Sequence, residues 1–429
     1  MRHVFTRPLH LPIKTRELRA SNKQPMRTAD SQALPPDVPV DCLLFSAQHS
    51  SVRGHLASVL TTAGAQVEVC DPGLKMHCRD VDWKPLVQSA AQSLSHPERR
   101  DIRIAPVPAG EGADTLHTAI FNVRRLEEFL QQLAAEWLTD VLKRDAVAIH
   151  FQPLVQFPPG RIHGYECFAR GVAPDGQLIE PQKMFEAARA LDLLPLLDHK
   201  CRAAAIARAA DLGMHHVQLF INFTPAAIYS PQFCFDETLA AVQAAGLQPA
   251  NITFEATNYD HVADQNHLND VLHFLRAQGF KIALDGVGPG RAALPALADL
   301  RPDYLKLDGD FVRRAAKFSP EARVARDLAE AARQHGVITV ATGIESEQQL
   351  KFARSAGIRV TQGNFHISPA PEPPTPEQSA QALQRVKETC TLTASATAPV
   401  APGTPWDISG LYATLASSAR QSAPPAPKR

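Results

Sequence analysis

Between residues 148 and 362, seven short apolar runs each stop on a side chain able to bind a metal ion or a phosphate. Glu166 ends His163-Gly-Tyr-Glu, Asn222 ends Leu219-Phe-Ile-Asn, and Glu255 ends Ile252-Thr-Phe-Glu. Asp285 ends Ile282-Ala-Leu-Asp, and Lys306 lies within Tyr304-Leu-Lys-Leu-Asp. Glu345 closes Val340-Ala-Thr-Gly-Ile-Glu, and Gln362 follows Val360-Thr. A hard divalent cation takes oxygen ligands from carboxylates and amides, and a lysine beside them can face a phosphate. The types and spacing of these residues point to a divalent-metal site opposed to a phosphate.

Such chemistry needs elements that bring distant strand ends to one place. Fully buried parallel strands read as apolar runs, and a (β/α) barrel gathers its strand ends on one face. Strands centre near residues 149, 166, 219, 253, 283, 305, 339 and 359. Helical patterns lie between them at Pro181–Leu191, Leu197–Leu212, Phe235–Ala245, Gln265–Gln278, Arg291–Leu297, Pro320–His335 and Ser346–Ala356. The fold class is therefore α/β, with a TIM-like barrel over 147–369. Asp303 and Asp308 read as loop carboxylates or helix caps. Lys306 taken alone would read as a snorkelling lysine.

Ahead of the barrel, residues 40–110 alternate strand-like and helical runs and form a small α/β unit. Its opening resembles a response-regulator receiver, but Ser46-Ala47 stand where a receiver carries acidic residues. It is read as a structural or protein-binding module. Residues 111–146 form a helical connector, with one long amphipathic helix over Leu126–Arg144 suited to linking or dimerisation. Residues 1–39 carry seven Lys/Arg against three Asp/Glu and form a disordered basic arm. Residues 370–429 form a mostly disordered Pro/Ala/Ser-rich tail with a helix at Glu377–Glu388.

Composition excludes several classes. The 429 residues carry zero net charge, so there is no general electrostatic case for a nucleic-acid polymer or an anionic membrane. No apolar stretch approaches a membrane span, and the N-terminus lacks the apolar core of a signal peptide. Seven scattered cysteines without a C-x-x-C pair fit reduced thiols in a cytoplasm. Cys70, His77 and Cys78 lack a fourth ligand at zinc spacing and read as ordinary residues.

The barrel block resembles the EAL domain family of cyclic di-GMP phosphodiesterases. Phe151-Gln-Pro-Leu is similar to the family's Tyr-Gln-Pro-Ile, and Gly164-Tyr-Glu-Cys-Phe-Ala-Arg to Gly-Tyr-Glu-Ala-Leu-x-Arg. Ile221-Asn-Phe-Thr-Pro, Phe254-Glu-Ala-Thr-Asn, Leu284-Asp-Gly-Val-Gly-Pro-Gly, Asp303-Tyr-Leu-Lys-Leu-Asp, Val340-Ala-Thr-Gly-Ile-Glu-Ser and Thr361-Gln-Gly-Asn-Phe follow in the family's order. The resemblance implies that Glu166, Asn222, Glu255 and Asp285 hold a first Mg²⁺ or Mn²⁺. It implies that Arg170, Gln152 and Gln362 bind the ligand, and that Lys306 and Glu345 serve catalysis if turnover occurs.

Three departures bear on that last point. Gly286 stands where the family has a second aspartate that helps hold a second metal. Thr342 replaces a glutamate assigned as the general base or its partner, and Asn258 replaces a glutamate that braces a loop beside the site. One lost acid or base group costs about 10²–10⁴-fold in rate. The expectation is a non-catalytic cyclic di-GMP receptor or regulator acting through a protein partner, with a homodimer possible in principle. The alternatives are a weak metal-dependent phosphodiesterase and a nucleotide-independent scaffold. Gly286→Asp combined with Thr342→Glu should restore or raise conversion of cyclic di-GMP to the linear dinucleotide. A double variant that binds nucleotide and two metals yet stays inert would refute this account of the defect.

Overall fold

The computed structural model describes residues 39–391 apart from 71–72, 111–112, 260–261, 263, 290–292 and 318. The predicted arm up to residue 38 and the tail beyond 391 lie outside the described residues. The first unit runs β1 (Val40–Ser46), α1 (Ser50–Thr62), β2 (Val67–Cys70), β3 (Gly73–His77), α2 (Trp83–Gln92), α3 (His96–Asp101), β4 (Arg103–Pro108), α4 (Ala113–Phe121) and β5 (Arg124–Arg125). Its strands are ordered β2-β3-β1-β4-β5, and every pairing is antiparallel. Leu43 and Phe45 of β1 face the helices and pack with Leu56, Leu60 and Val87, while Leu44 between them is exposed, as the two-residue strand period requires.

This is a split βαβ arrangement and corrects the receiver-like reading. In a receiver the sheet is parallel, whereas here β3 inserts between β1 and β2. Gly73 permits that insertion, because a Cβ there would lie 2.3 Å from the Phe45 carbonyl oxygen. The unit also extends past residue 110, since β5 joins its sheet and Leu126 and Phe129 complete its core. The single connector helix is instead two, α5 (Leu126–Ala135) and α6 (Trp137–Lys143). At the break, Glu136 N–H reaches back only to the Leu133 carbonyl (3.5 Å), and its carboxylate pairs with Lys84 at 2.6 Å. Leu126 and Phe129 of α5 thus pack in the first unit's core, whereas Ala135 at its end joins α6 in the cluster against α7.

The second unit comprises β6 (Val147–Gln156), β7 (Arg161–Val172), β8 (Leu178–Ile179), α7 (Pro181–Ala190), α8 (Leu194–Asp211), β9 (Gln218–Phe223), α9 (Pro231–Ala244), β10 (Ile252–Ala256) and α10 (Gln265–Ala277). It continues with β11 (Lys281–Val287), α11 (Ala293–Leu300), β12 (Tyr304–Leu307), α12 (Gly309–Ala315), α13 (Ser319–Gln334), β13 (Ile338–Ala341), α14 (Glu347–Ser355), β14 (Val360–Thr361) and α15 (Pro376–Thr391). The order β6-β14-β13-β12-β11-β10-β9-β7 closes through a β6–β7 pairing into an eight-stranded barrel, with β8 a spur on β7.

One strand departs from the all-parallel expectation. β6 runs antiparallel to both β7 and β14, and the other barrel neighbours are parallel. Only Phe157-Pro-Pro-Gly joins β6 to β7, which is far too short for the crossover a parallel pair needs. The chain can only turn back on itself.

The strand period then sets the interior in layers. Leu154, Phe220, Ala283, Tyr304, Val340 and Val360 form a buried apolar layer inside the barrel. Two residues along each of these strands, on the same face, lie Gln152, Asn222, Asp285, Lys306, Thr342 and Gln362. An apolar floor thus lifts a polar layer to the barrel mouth. Asp308 caps α12 by accepting from Phe311 N–H (2.8 Å), and Asp303 accepts from Ile282 N–H (2.8 Å), the structural roles read from sequence.

The folded body does not stop at 369. Ala370 pairs with Phe151, Arg385 donates to the His366 carbonyl at 2.8 Å, and Ala382 and Val386 of α15 are fully buried. Val386→Ala should lower stability by about 1–2 kcal/mol, read by urea unfolding of the full chain. An unchanged midpoint would show that α15 adds nothing to the core.

Candidate functional site

Glu166 on β7, Asn222 on β9, Glu255 on β10, Asp285 on β11 and Lys306 on β12 converge at the barrel mouth, joined by Gln362 after β14 and Gln152 on β6. Lys306 is buried and its ammonium donates to Glu166 Oε2 at 2.6 Å. The same nitrogen lies 2.7 Å from Glu255 Oε1. That second contact is an ion pair without hydrogen-bond alignment, since both Glu255 oxygens are buried with no hydrogen-bond partner. Glu166 also accepts from Asn222 Nδ2 (2.9 Å) and from Gln362 Nε2 (2.8 Å). Gln362 and Gln152 are bonded side chain to side chain at 3.1 Å, and Gln152 in turn donates to Asn364 at 3.2 Å.

Burial alone would push every carboxyl here upward. For Glu166 the Lys306 ammonium, with hydrogen bonds from Lys306, Asn222 and Gln362, outweighs that and holds it below the ordinary range. Glu255 stays well above it, because burial and the neighbouring Glu166 and Asp285 outweigh its share of Lys306. Asp285 is raised by burial, only partly offset by Lys306. Burial opposes the charge on Lys306, but the three carboxylates overcome it and raise its pKa. One cation serves three acids, and the shortage falls on Glu255 and Asp285.

A divalent cation would fill that shortage. The oxygen donors Glu166, Asn222, Glu255 and Asp285 suit a hard ion such as Mg²⁺ or Mn²⁺, and Glu255, ion-paired to Lys306 through Oε1 but accepting no hydrogen bond, has lone pairs left to offer. Among the described residues no three acidic, histidine or cysteine side chains already stand in a ligating arrangement, and Lys306 occupies the space between Glu166 and Glu255. The donor types suit a hard ion, while their present arrangement is organised around Lys306.

The remaining candidates sit on the rim. Arg170, four residues beyond Glu166 on β7, pairs with Glu180 at 3.3 Å. Glu345 is exposed and lines the outer edge of the cavity without joining the buried cluster. Thr342 donates its hydroxyl to the Leu307 carbonyl at 2.7 Å. Gly286 is exposed with φ 73°, a left-handed conformation costing a side chain about 1–2 kcal/mol. Thr342→Glu is accordingly the less strained half of any rescue. Asn258 (φ 52°) lines a cavity lobe shared with Phe168, Phe185 and Arg189. The last two residues and Asn364 were not among the sequence candidates, for nothing but helix periodicity marks Phe185 and Arg189.

A family profile described as EAL domain matches residues 135–369, more than half of the chain. The chain belongs to the EAL domain family. Its matched region is 30% identical over 240 residues to the probable cyclic di-GMP phosphodiesterase PdeG of Escherichia coli, covering 54% of this chain and 46% of PdeG. The match thus spans under half of that relative's length. The PaMucR phosphodiesterase, solved in complex with cyclic di-GMP, is 26% identical, covers 56% of this chain and 98% of its own, and has a TM-score of 0.51. The Xanthomonas citri FimX EAL domain, at 22% identity and a TM-score of 0.52 over 57% of this chain and 96% of its own, supports the barrel fold. Among the described residues no helix is long and apolar enough to cross a membrane.

The electrostatics of this EAL domain set a pH dependence. Glu255 and Asp285 hold their protons more tightly folded than unfolded, so their contribution to stability is fully present below their ordinary values of 4.5 and 3.8 and lost as pH rises through the raised ones. Glu166 works in the opposite sense, its contribution being lost as pH falls. Without divalent ions, Glu255→Gln should flatten the loss of melting temperature on going from acid to neutral pH. It should also forfeit most of the roughly 2.7 kcal/mol that Mn²⁺ at a hundredfold excess over its Kd gives the wild type. Equal stabilisation of both proteins by Mn²⁺ would remove Glu255 from the cation site.

Proposed function

We propose that this EAL domain is a cyclic di-GMP receptor, holding the nucleotide over one divalent cation, hydrolysing it slowly or not at all, and reporting its occupancy to a protein partner. The observation that carries the reading is the full set of four oxygen donors around buried Lys306, beside a glycine and a threonine at 286 and 342. The complex of PaMucR with cyclic di-GMP and the naming of PdeG support the choice of nucleotide. When bound, the cation would offset negative charge on the phosphoryl oxygens.

The chain's own residues have distinct parts in this reading. Glu166, Asn222, Glu255 and Asp285 hold the ion. Gln362 and Asn222 fix the Glu166 carboxylate, and Lys306 supplies positive charge from the barrel axis. Arg170 exchanges Glu180 for a phosphate. Turnover also needs a second carboxylate shell and a base. Gly286 has no side chain, and the Thr342 hydroxyl is neither acidic nor basic near neutrality and is committed to a carbonyl.

A weak one-metal phosphodiesterase is the second reading, favoured by the intact first shell and by Lys306. A scaffold that binds neither ligand is disfavoured, because burying three carboxylates costs several kcal/mol per ion with nothing gained. The test is calorimetric titration of the full chain with cyclic di-GMP in Mg²⁺, Mn²⁺ and then Ca²⁺, followed by chromatography of the nucleotide. Binding with the nucleotide recovered intact in all three is expected. Conversion to the linear dinucleotide would make the protein an enzyme, and absence of binding would leave only the scaffold.

A further inference from the structure

Helix α8 packs on β6 and β9 and carries a charged pair that the cluster around Lys306 does not use. Asp198 and Arg202 are 2% and 1% exposed, and Arg202 Nε lies 3.2 Å from Asp198 Oδ2. Both side chains reach out of the helix to the link between β9 and α9. Asp198 Oδ1 accepts from Thr224 N–H, immediately after β9, at 2.7 Å. Arg202 Nη2 donates to the Cys234 carbonyl, in the first turn of α9, at 3.3 Å. Its guanidinium lies 4.3 Å from the centre of the Phe235 ring. One buried pair thus holds the link at both ends.

Stability alone does not account for such a pair. Taking two charges out of water is costly, and apolar residues of similar volume in their place are often neutral or stabilising. What an apolar pair could not supply is an acceptor for Thr224 N–H. The β9–β10 register ends at Phe223 opposite Ala256, so the next backbone donor of the chain goes to Asp198 instead of a strand. Two residues back, Asn222 donates to Glu166 Oε1 at 2.9 Å. Asn222 and Thr224 both line the larger lobe of the barrel-mouth cavity, about 330 Å³ against about 280 Å³ for the lobe holding Gln152 and Glu345.

We propose that Asp198 is a positioning residue for the cation site. By holding Thr224 N–H it fixes the end of β9, and with it the Asn222 amide that orients Glu166 and faces the ion. Arg202 balances the buried carboxylate and ties the same pair to α9. This rests on the reading above that Glu166, Asn222, Glu255 and Asp285 hold a divalent cation. Outer partners of metal ligands act in this way, by setting the angle at which a ligand meets the ion.

The test measures Mn²⁺ binding to the full chain by calorimetry, with melting temperatures alongside. Asp198→Leu combined with Arg202→Leu should keep a melting temperature near that of the wild type yet bind Mn²⁺ about tenfold more weakly. Asp198→Asn combined with Arg202→Leu, which keeps an oxygen for Thr224 N–H, should bind Mn²⁺ nearly as the wild type does. In an Asn222→Ala background the leucine pair should cause no further loss, because residues acting through one another are not additive. Asp198→Ala with Arg202→Leu stands in for the leucine pair if that variant does not fold, with the same expectations. Wild-type Mn²⁺ affinity in a folded variant lacking the acceptor would overturn the assignment. So would a further full loss in the Asn222→Ala background, which would place the effect elsewhere than Asn222. Failure of the wild type to bind Mn²⁺ would overturn the cation reading and this assignment together.

Discussion

A single ammonium group paired with two buried carboxylates, and drawn on by Asp285 at longer range, sets the terms for the rest of the barrel. Lys306 cannot be buried without Glu166 and Glu255 beside it, and those acids cannot be ionised there without a cation. Three negative charges against one positive leave two uncompensated, the charge of a divalent ion. Desolvation costs of several kcal/mol per ion are tolerable only on a rigid support, which the apolar layer of Phe220, Tyr304, Val340 and their neighbours supplies. The same strand period that buries those side chains lifts the polar ones to the mouth, so packing and chemistry are two consequences of one pattern.

Much of this was legible in the sequence because the pattern is local. Glu166, Asn222, Glu255, Asp285, Lys306 and Gln362 each interrupt an apolar run, and an interruption at a strand end has few structural explanations. What escaped depends on contacts remote in the chain or on backbone direction. An apolar run says nothing about whether a strand is parallel, so β6 was misread, although the four-residue Phe157–Gly160 link already excluded a crossover. Gly73-Leu-Lys-Met-His is too mixed to announce a strand, yet it pairs with β1 and gives the first sheet its antiparallel order. The helix read at Glu377–Glu388 is α15, but the Pro/Ala-rich composition around it hid that it belongs to the barrel, where Ala382 and Val386 are buried. The partner of Arg170 could not be read from spacing, since Glu180 reaches it from the far side of a hairpin.

Helix α7 joins the parts. One side walls the larger cavity lobe, and the other packs in a continuous hydrophobic cluster with Leu138, Val141 and Leu142 of α6. Helix α5, directly preceding, completes the core of the first unit through Leu126 and Phe129. The wall of the larger cavity lobe and the N-terminal unit are thus in mechanical contact through packed side chains, with the α5–α6 break at Glu136 tied to Lys84. A receptor needs such a route more than a hydrolase does, because its product is a change of contact.

The most direct test of the central claim, a one-cation site bearing nucleotide, is the number and position of Mn²⁺ ions in crystals grown with cyclic di-GMP, located by anomalous scattering. The account predicts one ion, ligated by Glu166, Asn222, Glu255 and Asp285, with the nucleotide intact above it. Two ions about 3.5–4 Å apart would contradict it, for the site would then hold the full machinery of hydrolysis despite Gly286 and Thr342.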